Sequence, residues 1–143
     1  MKYFIFLILS FYIFKGHAAD LMPLKKYLQG NEIKNNKVLT FKFYARCSAI
    51  LVYTSGLMKS QNMLEMKENF SMLAKIYILK MSKITPSNIN KNRQKEKLEK
   101  ELMFFLSSYK NLGNKNYIEF GEYLADIHYE DTKVCTDYSK KEF

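Results

Sequence analysis

The run from Thr40 to Lys59, TFKFYARCSAILVYTSGLMK, constrains this chain more than any other stretch. It is the longest low-charge segment outside the N-terminus. At helical spacing Tyr44, Cys47, Leu51, Thr54, Ser55 and Met58 fall on one face, and Phe43, Ile50 and Leu57 widen it. A helix apolar over so much of its girth has to be covered on several sides. The run therefore predicts the central helix of a small bundle, with the other helices wrapped around it.

The N-terminus predicts where the chain goes. Met1-Lys2 is a short positive region, Tyr3 to Phe14 is uncharged, and Lys15-Gly16-His17-Ala18-Ala19 supplies small residues for cleavage. Residues 1–18 thus read as a signal peptide, cut after Ala18 so that Gly16 and Ala18 occupy the two small positions. Lys2 and Lys15 bracket only twelve residues, whereas a bilayer span needs about 20. The expected mature chain is secreted or periplasmic and has no transmembrane span. In an oxidising compartment two cysteines in one small domain read as one disulfide, so Cys47 is expected to bond to Cys135. No Cys-x-x-Cys pair suggests a redox role.

Residues 19–143 are enough for one domain. Five glycines and two prolines are too few for a turn-rich all-β sandwich. The expected fold is all-α, a four- to five-helix bundle closed by Cys47–Cys135. Charge is unevenly spread. The formal charge of +9 becomes +7 without Lys2 and Lys15; residues 19–84 account for all of that, and residues 85–143 balance to zero. Within the second half, Tyr117 to Phe143 carries −4. A dipolar molecule follows, suited to anionic partners at one end or to simple solubility. The candidate interaction surfaces are Lys25, Lys26, Lys34, Lys37, Lys42 and Arg46 on the basic side. On the acidic side they are Glu119, Glu122, Asp126 and Glu130, spaced as one helical row.

Boundary signals divide the rest. A first helix is expected over Leu21 to Gln29, capped by Asp20 and ended by Gly30, with a polar loop to Lys37 and Thr40 capping the central helix. Asn62 and Glu65 form a capping-box pattern ahead of a stripe of Met63, Met66, Phe70, Leu73, Tyr77, Met81 and Ile84. The stripe reads as core rather than as a methionine-rich binding groove. Thr85-Pro86 opens the next helix, whose Leu98, Leu102, Phe105, Leu106, Tyr109 and Leu112 face inward until Gly113 stops it. Asn116 and Glu119 repeat the capping box for a last helix that turns Tyr117, Phe120, Leu124 and Ile127 inward. A break is expected near Glu130-Asp131, before Val134, Cys135 and Tyr138.

The chemistry of the chain is sparse. His128 is the sole histidine of the expected mature chain, which rules out a histidine metal cluster and leaves a catalytic base without a second motif. There is no nucleophile elbow, phosphate-cradling glycine loop, zinc spacing, EF-hand or internal repeat. No metal, cofactor or nucleic-acid motif is expected. The reading is an exported, non-enzymatic helical protein that binds a protein or envelope component, as inhibitors, immunity proteins and small chaperones do. The alternative is a basic protein that attaches to anionic lipid or polymer. A small muramidase-like hydrolase comes third, since paired carboxylates need no fixed spacing.

Overall fold

The computed structural model describes residues 21–30, 33–85 and 90–142, apart from the side chains of Lys34 and Glu142. The expected signal peptide, Asp20 and Pro86 lie outside the described residues. Among the described residues five α-helices follow one another: α1 (Leu24–Gly30), α2 (Lys37–Ser60), α3 (Leu64–Ile84), α4 (Lys91–Phe120) and α5 (Ile127–Glu142). A 3₁₀ turn, Ile33–Asn35, precedes α2. The architecture is the expected small all-α bundle closed by Cys47–Cys135.

Helix α2 is the centre. Every residue from Phe43 to Leu51 is buried, two and a half turns without a wet face. Three neighbours provide the cover. Helix α3 runs antiparallel along it and approaches closely because small residues meet: the Ser48 hydroxyl donates to the Ala74 carbonyl at 3.3 Å, and the Ser55 hydroxyl to the Lys67 carbonyl at 3.0 Å. Helix α4 runs parallel to α2, from Lys97 beside Phe41 at one end to Tyr117 beside Leu57 at the other. Helix α5 is antiparallel, with His128 against Tyr53, Cys135 bonded to Cys47 and Tyr138 against Phe43. The disulfide joins residues 88 apart, which on the chain-entropy model contributes about 4–5 kcal/mol.

Several boundaries differ from the expected ones, each for a local reason. Helix α2 starts one turn early because Asn36, not Thr40, caps it: its side-chain oxygen accepts from Val38 N–H at 3.0 Å and Leu39 N–H at 3.2 Å. Asn62 forms no capping box; it takes a left-handed turn (φ 60°) in the tight α2–α3 hairpin. Met63 caps α3 without a side-chain bond, and Met63 and Met66 are exposed, so the core stripe of α3 narrows to Ala74, Tyr77 and Met81 with Phe70, Leu73 and Ile84 half-buried. Thr85 closes α3 by donating to the Met81 carbonyl at 2.8 Å, and Asn90 caps α4.

The largest correction concerns Gly113. It does not end α4, which continues to Phe120 and stops at Gly121 in the left-handed conformation (φ 75°). Gly113 instead makes room: a Cβ there would lie 1.8 Å from the Tyr53 hydroxyl oxygen. Glycine inside a helix costs about 1 kcal/mol, and here the crossing of Tyr53 requires it. Asn116 is consequently a buried mid-helix residue and not a cap, and Tyr117 and Phe120 face water. Residues 121–126 form the α4–α5 connection, and α5 passes through Glu130-Asp131 without a break.

Candidate functional site

Arg46 was expected on the basic surface, yet it is buried. Its guanidinium meets Asp131, which is wholly buried, at 2.6 Å and donates to the Met22 carbonyl at 2.7 Å. Asp131 spends its other oxygen on the Leu24 N–H, 2.7 Å away, supplying from 107 residues downstream the cap that α1 needs. Tyr109 completes the node. Its hydroxyl donates to Asp131 Oδ2 at 2.5 Å and accepts from the Arg46 Nε and Nη2 groups, each at 3.3 Å. One carboxylate thus ties α1, α2, α4 and α5 together.

The electrostatics follow from burial. Burial pushes the Tyr109 phenol well above its ordinary value, and the Asp131 charge pushes the same way. Tyr109 is therefore a neutral donor at any ordinary pH. Burial opposes the charge of Arg46, but Tyr109 and Asp131 beside it more than offset this and hold the guanidinium above its usual value. A buried pair with its remaining hydrogen bonds satisfied specifies an arrangement more than it adds stability. His128 is likewise consumed. Its Nε2–H donates to the Tyr109 carbonyl at 2.7 Å and Nδ1 accepts from the Asn116 amide at 3.2 Å, the neutral tautomer that these partners require. Burial lowers its pKa. These four side chains have the chemistry of an active site and the accessibility of a core.

Accessible groups lie at the two ends of the bundle. The start of α2 is flanked by the start of α4 and the ends of α3 and α5, a consequence of the parallel and antiparallel packing. This end carries Lys37, Lys42, Lys83, Lys97, Lys140 and Lys141, all exposed; Lys25 and Lys26, also exposed, lie on α1, whose start meets Asp131 of α5. Lys37, Lys42 and Lys97 line one pocket of about 190 Å³ with Phe41, Ile84 and Glu101. Lys25 and Glu130 share a cleft between α1 and α5. Lys34 falls outside what is described of side chains.

The opposite end, about 36 Å away along the 24 residues of α2 at 1.5 Å each, is acidic and aromatic. Glu119 lies on α4, Glu122 and Asp126 in the connection and Glu130 on α5; all are exposed, on three elements rather than in one helical row. No Lys or Arg occurs between Asn116 and Thr132. Among these carboxylates Ile118 is 83% exposed, Tyr129 68% and Phe120 61%. The rings of Tyr117 and Tyr123 stack at 4.4 Å. With Leu57, Gln61 and Glu122 they line a pocket of about 400 Å³. The connection is fixed in place: Gly121 N–H donates to the Tyr117 carbonyl at 2.9 Å, and the Asn116 amide donates to the Ala125 carbonyl at 3.3 Å.

Sequence reasoning missed this apolar end because it turned Tyr117 and Phe120 inward. The available signal was the length of the lysine-free stretch around them. Among the described residues no group of three or more His, Cys, Asp or Glu is placed to hold a metal ion, and no helix is long and apolar enough to cross a membrane. Comparison with protein-family models, with curated proteins and with solved structures finds no match.

Proposed function

We propose that this protein is exported and acts by binding a protein partner in the cell envelope or outside the cell through its α4–α5 end, without catalysis. The role is of the inhibitor, immunity or chaperone kind. The observation that carries this reading is the exposure of Ile118 and Phe120, on two sides of the last turn of α4, together with the exposed, stacked Tyr117 and Tyr123. Aromatic residues dominate binding energy at protein interfaces. Here they project from backbone fastened on both sides, so little freedom remains to be lost on binding. Exposed large apolar side chains close to charged ones mark the kind of surface at which proteins meet. The buried His128, Asp131, Arg46 and Tyr109 support the non-catalytic side of the reading, since their polar atoms are occupied by one another and by the backbone. Export is supported by the uncharged segment after Lys2 and by the Cys47–Cys135 bond, which suits an oxidising compartment.

Two measurements test it. The intact mass of the secreted protein is expected to begin at Ala19; retention of residues 1–18 refutes export by cleavage. Affinity capture from envelope extract with the mature protein is expected to enrich one partner that persists at high salt, because a packed apolar interface is weakly screened. Capture that disappears as salt rises contradicts it.

A further inference from the structure

We propose that the other end of the bundle, where α2 and α4 begin, docks onto an anionic lipid surface, with Lys37, Lys42 and Lys97 grouped around one lipid phosphate. The inference does not depend on what binds at the α4–α5 end. Three lysines from two helices converge on a pocket of about 190 Å³ in which, among the described residues, Glu101 is the one carboxylate. That volume equals about six water molecules at liquid density, which accommodates a phosphate and its ester carbons.

The same place is apolar beneath its charges. Phe41 and Ile84 form the floor, and the Lys97 ammonium sits 5.3 Å from the centre of the Phe41 ring. Val38, on the first turn of α2, is 64% exposed between Lys37 and Phe41. Cations around the exposed Val38, above a largely apolar lining, match the boundary of a lipid layer, where phosphates lie above glycerol and acyl carbon. A soluble polyanion supplies the charge but nothing for Val38. Lys140 and Lys141, at the end of α5, widen the positive surface, so several headgroups are met at once. Docked in this way, the bundle would hold its acidic, aromatic end about 36 Å from the surface, the length of the 24-residue α2 at 1.5 Å per residue.

The test is co-sedimentation of the mature protein with phosphatidylcholine vesicles, with and without phosphatidylglycerol, at low and physiological salt. Binding is expected only with phosphatidylglycerol and is expected to weaken with salt. The Lys37→Gln/Lys42→Gln/Lys97→Gln variant should bind about a hundredfold more weakly, each lysine near an anionic surface being worth about fivefold. Removing Lys59, Lys110 and Lys115 instead, an equal change of net charge elsewhere, should leave binding near that of the unaltered protein. All six lysines are exposed, and thermal melting of both variants confirms that each is folded. Equal binding to neutral vesicles, equal losses in the two variants, or no loss in the first overturns the proposal. Binding of short-chain polyphosphate without binding of vesicles overturns it too, by assigning the basic end to a soluble polyanion.

Discussion

Replacing Asp131 by alanine probes the feature on which the bundle most depends. The substitution strands the Arg46 guanidinium, whose side chain is 5% exposed, without its counter-charge. It also strips the Leu24 N–H and the Tyr109 hydroxyl of their acceptor. Breaking a buried ion pair by deleting one member costs about 3–5 kcal/mol. Unfolding entropy of about 2.1 cal/mol/K per residue makes 1 kcal/mol worth about 4 °C in a domain of roughly 125 residues, so the melting temperature should fall by about 15 °C. Urea and thermal unfolding followed by circular dichroism measure both quantities. Amide exchange in α1 should accelerate first, since Asp131 and Arg46 hold Leu24 and Met22. Adding Arg46→Met removes the stranded charge, so the double variant should be less damaged than the sum of the single ones by at least about 1 kcal/mol. A loss below about 1 kcal/mol for Asp131→Ala, or strict additivity in the cycle, refutes the network as drawn.

Three further outcomes are expected. Gly113→Ala should destabilise by up to about 2 kcal/mol, the overpacking of about 1–3 kcal/mol where the new methyl meets the Tyr53 hydroxyl oxygen at 1.8 Å being partly offset by about 1 kcal/mol of helix propensity; the additional Tyr53→Leu change should recover the overpacking loss in urea unfolding, and a single variant stabilised by the full ~1 kcal/mol contradicts the packing. Cys47→Ser/Cys135→Ser should lose about 4 kcal/mol in the same assay, and a loss under about 1 kcal/mol would show that the bond adds little to the packing of α5. Acidification should weaken the fold through His128. Its folded pKa lies below the unfolded value near 6.5, so its contribution is complete above that pH and is lost as pH falls from there through the lowered folded value. The slope across that window is at most about 1.4 kcal/mol per pH unit; a His128→Gln variant with the same pH dependence of unfolding would rule His128 out as its source.

What could be read from the sequence was what depends on local pattern. The apolar girth of Thr40 to Lys59 identified the central helix, since no other arrangement covers Phe43 and Leu51 together. Two cysteines in one small domain expected to be exported leave one simple pairing. Helix boundaries were read less well, because the same residues serve two purposes. Asn116 and Glu119 have capping-box spacing, but the Asn116 amide is spent on Ala125 and His128. Gly113 resembles a stop signal, and only the approach of Tyr53 from a distant turn explains its place inside α4. Arg46 looked like one more surface cation. Its partner lies 85 residues away, beyond any periodicity. The charged ends were partly legible: the uneven charge along the chain was visible, but bringing Lys97 of α4 beside Lys37 and Lys42 needed the parallel packing of α2 and α4. The apolar end was misread for the same reason as Gly113, since a helix thought to restart at Tyr117 points Phe120 the wrong way.

If the protein acts as proposed, the exposed α4–α5 end is there to be covered by a partner. The most direct test is a pair of readings on one variant, Ile118→Ser/Phe120→Ser: retention of the captured envelope partner and urea stability. Because Ile118 and Phe120 are 83% and 61% exposed, stability is expected within about 0.5 kcal/mol of the unaltered protein, together with loss of the partner. A variant that still retains the partner, or that loses it only because the domain has unfolded, contradicts the claim.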